Sequence, residues 1–170
     1  MNDHNLMVQF DQEHRNPDGS LKIDFQFAKP GDAGIDLPVV INDHLKVVPH
    51  RDYYIDHKNQ QFDIPGGGYA EIPCGLAVKV PDMAWGNIKP RSSTAWKRRL
   101  VVNEAVIDSG YTGPLFILVF NPNIDPVTVV AGEKLAQLII IPKFPLTGIV
   151  AVEELPKTAR GTDGFGSTGA

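Results

Sequence analysis

Apolar residues recur along this chain at two spacings. In LKIDFQF, Leu21, Ile23, Phe25 and Phe27 alternate with polar neighbours, and Leu76, Val78 and Val80 do the same in GLAVKV. A period of two puts every second side chain on one face, as in a half-buried strand. PLFILVFN and AQLIII are apolar at nearly every position instead, which suits strands covered on both faces. Val127, Val129 and later Ile149 belong to further short runs. Sixteen glycines and fourteen prolines interrupt the chain at short intervals, which excludes long helices. The pattern predicts an all-β sandwich or barrel. One segment departs from it. SSTAWKRRL opens on two serines and ends in cations, the charge order of a short helix. With no internal repeat and no linker, one domain is expected over residues 1–155. The polar, glycine-rich residues 156–170 are expected to form a mobile arm.

Composition narrows the class. At 170 residues and 42% hydrophobic, the chain can build a core. A net charge of −4 supplies no general field for nucleic acid, so any polyanion must meet a local cluster of cations and backbone N–H groups. Cys74 is the single cysteine, which rules out an internal disulfide and fits a reducing compartment. The opening MNDHNLMVQFDQEHR lacks the apolar centre of a secretion signal, and the apolar run Leu138 to Ile141 is far too short to span a bilayer. A cytoplasmic protein is expected, or one in the host cytoplasm if its source is viral, with neither nucleic acid nor membrane as partner.

Five stretches carry candidate chemistry. In KPRSSTAW, Arg91 precedes Ser92 and Ser93 at a predicted helix start, which makes an anion site or merely a capped helix beside a solvated arginine. In NEAVIDSGYTG, Asp108 sits where a strand meets a tight turn, held as a general base must be, with Tyr111 able to offer a ring face. The plainer account is a turn aspartate capping its own loop. In DAGIDL, Asp36 is a carboxylate among apolar neighbours, suited to bonding backbone. In GEKLAQLII, Gln137 could donate to a phosphate or satisfy an adjacent strand. RGTDGFGSTG holds Arg160, an aromatic at Phe165 and hydroxyls at Ser167 and Thr168, among glycines that let N–H groups curl around an anion. Composition alone would make it a disordered tail.

In their order, DAGIDL, PRSS, VIDSGYTG, GEKLAQLI and RGTDGFGSTG resemble the five sequence blocks of the trimeric dUTPases, over about Ala28 to Gly169. The resemblance implies a jelly-roll-like distorted β-barrel with one short helix and a mobile C-terminal arm. It implies a homotrimer with active sites shared between subunits. The implied reaction is hydrolysis of dUTP to dUMP and pyrophosphate, with Mg²⁺ on the triphosphate. By the same resemblance, Asp108 orients and deprotonates the water that attacks the α-phosphorus, and Tyr111 packs under the deoxyribose. Arg91, Ser92 and Ser93 hold phosphate oxygens with help from Gln137. A hairpin spanning Asn103, Val106 and Ile107 reads the base edge. In the arm, Arg160, Gly166, Ser167 and Thr168 close on the phosphates while Phe165 stacks over the base. No direct protein ligand to the metal is expected, with Asp36 acting through the metal's water shell or as a structural anchor.

The chain departs from the family pattern in three places. Ser93-Thr94 stand where Gly-Leu is usual, Asn103 is one step closer than usual to Asp108, and Asp163 replaces a glycine. Hydrolysis of dCTP or of a modified deoxypyrimidine triphosphate stays open. So does a nucleotide-sensing regulator that binds a protein partner, motivated by the unassigned stretch Asp52 to Gly68. Related dCTP deaminases carry a glutamate on the strand after the turn. PLFILVF has Leu118 and no acid there, which argues against deamination.

Overall fold

The computed structural model describes residues 5–12, 15–18, 20, 22, 25, 27–48, 54–159 and 161. Among these, twelve strands and one helix form. The early strands are β1 (Met7–Phe10), β2 (Gly34–Pro38), β3 (Lys46–Val48), β4 (Ile55–Asp56), β5 (Gln61–Ile64) and β6 (Tyr69–Lys79). After β7 (Ala84–Pro90) comes α1 (Ser92–Trp96). The remaining strands are β8 (Val101–Val102), β9 (Ala105–Ile107), β10 (Pro114–Phe120), β11 (Val127–Val130) and β12 (Lys134–Pro142). One sheet runs β1-β6-β10-β8 with β3 also on β6, a second runs β2-β12-β7-β9, and a small third runs β11-β5-β4. This is an all-β, jelly-roll-like fold with one short helix.

The inward residues of all three sheets meet in one core. Ile72, Leu76, Ile117, Ile88, Leu138, Phe62 and Ile64 are each 1% exposed or less. Phe62 and Ile64 come from the 52–68 stretch, so its hairpin β4–β5 serves the core. Strand β6 carries an irregularity that shapes one end of the molecule. Its pairing with β10 jumps from Ala77↔Pro114 to Pro73↔Phe116, and Gly75 between them has φ +67. A left-handed glycine lets a strand accommodate such a bulge, here two residues after Pro73. The carbonyls freed there accept from elsewhere: Val40 N–H donates to Pro73 O (2.9 Å) and Asp11 N–H to Gly75 O (3.1 Å).

Two sequence expectations shift. The strand expected over LKIDFQF is not formed by its described residues. Phe25 lies outside any strand and packs edge-on against Phe10, with ring centroids 6.1 Å apart. The edge of β6 is taken instead by MVQF, within a stretch too charged overall to look like a strand. The helix expected through SSTAWKRRL stops at Trp96. Arg99 then adopts φ +51, which turns the chain so that Leu100 enters the core.

Candidate active site

Strand β7 organises the candidate residues because β12 flanks it on one side and β9 on the other. At its C-terminal end the chain passes directly into Arg91 and α1. The Arg91 N–H donates to Leu135 O (3.1 Å), and the Thr94 hydroxyl donates to the same carbonyl (2.6 Å). Arg91 Nε pairs with Asp36 Oδ1 at 2.7 Å, and Arg91 Nη1 donates to Lys134 O at 3.1 Å. Lys134 Nζ lies 3.8 Å from the other Asp36 oxygen. Asp36 is buried, so its carboxylate is matched to two cations instead of to the backbone partner expected from sequence. The helix has Arg91 at its N-cap with no side-chain cap, and its first two residues, Ser92 and Ser93, are exposed and half-buried. Gln137 Nε2 donates to Pro90 O (3.2 Å). The Gln137 amide also occupies the space a side chain at Gly34 would need, which explains the glycine in DAGIDL. Asp36, Arg91, Ser92, Ser93 and Gln137 therefore gather at one end of β7. Lys134, which sequence reasoning missed, joins them; its place depended on the register of β12 against β2.

Strand β9 runs antiparallel to β7 with Ile88↔Ala105, Asn87↔Val106 and Gly86↔Ile107. Asp108 follows at the far end. Continuing that register puts Asp108 level with Trp85, six residues from Arg91, which at the rise of a strand is roughly 20 Å. Asn103 lies toward the Arg91 end, where Lys89 and the adjacent Glu104 form an ion pair of 2.5 Å. The hairpin expected around Asn103 to Ile107 is not a pair of mutually bonded strands: β8 pairs with β10 and β9 with β7, so the segment crosses between sheets. The Asp108 turn is closed by Tyr111 N–H donating to Asp108 O (3.0 Å). The Asp108 carboxylate is exposed, and among the described residues it has no hydrogen-bond partner, so it does not cap its own loop. Tyr111 is fixed by its hydroxyl, which donates to Pro114 O (2.8 Å), and by its ring lying against Gly113, where a Cβ would sit 2.8 Å from the ring carbon Cζ.

Between β9 and the start of β10 lies a cleft of about 220 Å³, walled by Ile88, Val106, Ile107, Tyr111, Pro114 and Phe116. Three of these were singled out from sequence. A larger groove of about 770 Å³ opens on the other side of Pro114–Phe116, near Asp11 and His44, and none of the candidate residues lines it. Among the described residues there is no group of three His, Cys, Asp or Glu that could hold a metal ion. Nor is any helix long and apolar enough to cross a membrane. Arg160, Phe165, Gly166, Ser167 and Thr168 lie outside the described residues.

The site thus joins a mainly apolar cleft, an exposed carboxylate with no hydrogen-bond partner among the described residues, and a separate arginine-serine end. The dUTPase family model matches residues 22–169, and the chain belongs to the dUTPase family. It is 33% identical over 147 residues to the deoxyuridine 5'-triphosphate nucleotidohydrolase of Desulfitobacterium hafniense, covering 85% of each chain. It is 42% identical over 106 residues to the Arabidopsis thaliana protein of the same name. That match spans 62% of this chain and 63% of the plant relative's length. Among solved structures, the dUTPase of Staphylococcus bacteriophage 80alpha with dUpNHpp superposes with a TM-score of 0.75 at 22% identity, covering 98% of this chain and 99% of that one. A variant dUTPase of phage phi11 of S. aureus, described as coordinating a structural Mg(II) ion, superposes with a TM-score of 0.64 at 22% identity, covering 88% and 97%. These two likenesses speak to the fold.

Proposed function

We propose that this protein hydrolyses dUTP to dUMP and pyrophosphate. The observation that carries the reading is the Asp108 turn: a solvent-facing carboxylate with no hydrogen-bond partner among the described residues, one turn from a tethered Tyr111 and beside a cleft of about 220 Å³. Asp108 orients a water and takes its proton as that water attacks the α-phosphorus. The bond from the α-phosphorus to the bridging oxygen breaks, and pyrophosphate leaves. Tyr111 and the backbone of 105–107 hold the sugar and base. Arg91, Ser92 and Ser93 bind phosphate oxygens, with Arg91 pre-oriented by Asp36. Bound Mg²⁺ would neutralise part of the triphosphate charge. The donor set fits a metal carried on substrate and water, and Asp36, already facing Arg91 and Lys134, fits the role of anchor.

The roughly 20 Å between Asp108 and Arg91 along β7 is too long for one chain to place both on an α-phosphate and its neighbours. We therefore infer a homotrimer in which different copies supply the two ends and residues 156–170 of a further copy close over the nucleotide. The chain after β12 supports assembly: Phe144, Leu146, Ile149, Val150 and Leu155 are all exposed, Ile149 by 99%. Such a run is normally covered by another surface. Leu118, half exposed on β10, leaves no acid where a deaminase would need one.

The test is pyrophosphate release from each deoxynucleoside triphosphate with Mg²⁺, together with mass measurement in solution. Turnover of dUTP by a three-copy species is expected, and Asp108→Asn should lose at least about a hundredfold in kcat while still binding nucleotide. An Asp108→Asn protein with full turnover would remove the proposed base. Preference for dCTP would redirect the substrate without changing the chemistry.

A further inference from the structure

Lys143 is the first residue after β12 and the root of the exposed C-terminal segment. Its backbone N–H donates to Met83 O (2.8 Å). Its ammonium donates to the Ser109 hydroxyl oxygen at 2.7 Å and to Asp82 O at 3.3 Å. Ser109 directly follows Asp108. No sequence block contained Lys143, and nothing in the reaction above uses it.

The surroundings make this contact matter. The Asp108 turn has one backbone hydrogen bond of its own, from Tyr111 N–H. Gly110 within the turn has no atom within 4 Å of where a side chain would be, so packing does not steady it. Across from it, Asp82 belongs to a turn fixed by Ala84 N–H donating to Pro81 O (2.9 Å) and by a 2.5 Å ion pair from Lys79 to the Asp82 carboxylate. The Lys143 ammonium thus bridges a braced turn to an unbraced one, and its half-buried position limits competition from water.

We infer that Lys143 is a positioning residue: its ammonium holds Ser109, and through Ser109 the carboxylate of Asp108, at the angle the attacking water requires. The inference rests on the hydrolase reading above. An ammonium with three donors can keep the Ser109 and Asp82 bonds together while leaving the serine's own proton free to donate toward a ligand or water. Because the same residue begins the C-terminal segment, a pull on that segment reaches the base turn through a single side chain.

The experiment compares wild type with Lys143→Met, Lys143→Arg, Ser109→Ala and the Lys143→Met/Ser109→Ala pair. It reads kcat and KM for dUTP, and amide hydrogen exchange at residues 109–111 without nucleotide. Misplacing a reacting group by a fraction of an ångström costs on the order of tenfold. Lys143→Met and Ser109→Ala should each lose about that much kcat with KM unchanged, and the pair should lose no more than either alone. Exchange at 109–111 should quicken in both single variants, and Lys143→Arg should restore most of the rate. A folded Lys143→Met protein with wild-type kcat and wild-type exchange would overturn the positioning role. So would additive losses in the pair. If wild type itself releases no pyrophosphate from any deoxynucleoside triphosphate, the hydrolase reading fails and the catalytic role fails with it; the exchange data then report only whether the tether exists.

Discussion

The two ends of β7 are built on opposite principles. At the Arg91 end the charges are paired: a buried carboxylate faces two cations, the arginine also donates to Lys134 O, and Thr94 locks the helix to β12. At the Asp108 end the carboxylate stands exposed on a turn with few bonds, and the wall of the cleft is apolar. A group that must hold a fixed anion is best organised before the anion arrives. On the proposed reading, Asp108 takes a proton from water with oxygens that the rest of the described chain leaves uncommitted, so its precision comes from outside the carboxylate. The difference tells us where each end is vulnerable: the first through its partners, the second through its backbone.

The comparison can be broken most severely at Asp36. Asp36→Ala leaves Arg91 without its partner in a mostly buried setting, which should cost about 2 kcal/mol of stability; a fully buried pair would cost more, but Arg91 still reaches solvent. Chemical denaturation would measure this, and KM should rise roughly tenfold with kcat less affected. An unchanged midpoint would mean that the pairing organises nothing. Gly86→Ala probes the other end. A Cβ there would lie 3.0 Å from Leu138 Cδ1 and 3.1 Å from Ile107 Cβ, so β9 must shift, at about 1–2 kcal/mol. Because Ile107 precedes Asp108 and the backbone of 105–107 is proposed to hold the sugar and base, kcat should fall and KM should rise together, whereas Asp36→Ala acts mainly on KM. The smallest effect bears on both ends equally. Burial raises the Cys74 thiol from 9.0 to about 12. The unfolded chain releases its proton first as pH rises, so stability is constant below about pH 9 and declines from there toward about 12. The loss should stay under about 1 kcal/mol at pH 9.5. A thiol reagent should label native Cys74 only as fast as the protein opens.

The apolar runs in β6, β10 and β12 were plain in the sequence, alternating in β6 and nearly continuous in β10 and β12; the continuous run suggested cover on both faces, but in this chain the outer face of β10 stays exposed at Leu118 and Phe120. As candidates, Arg91, Asp108, Tyr111 and Gln137 were legible as local grammar. Their grouping was not. Asp36 meets Arg91 only because β2 and β7 both pair with β12, and register over that span leaves no mark in neighbouring residues. Alternation in LKIDFQF predicted a strand, but a strand also needs a free edge, and the edge of β6 was filled by the less regular MVQF. Lys143 was invisible for the same reason as Lys134: a single lysine after a strand carries no signal until its neighbours in space are known.

The uncovered stretch from Phe144 to Leu155 has a practical consequence. On the homotrimer reading, a newly made chain carries a strip of greasy side chains that other copies hide, so its fate depends on how soon it meets them. If copies of the chain cover that strip, resistance to unfolding and to digestion should rise with protein concentration, and a dilute stock is the one a protease clips first.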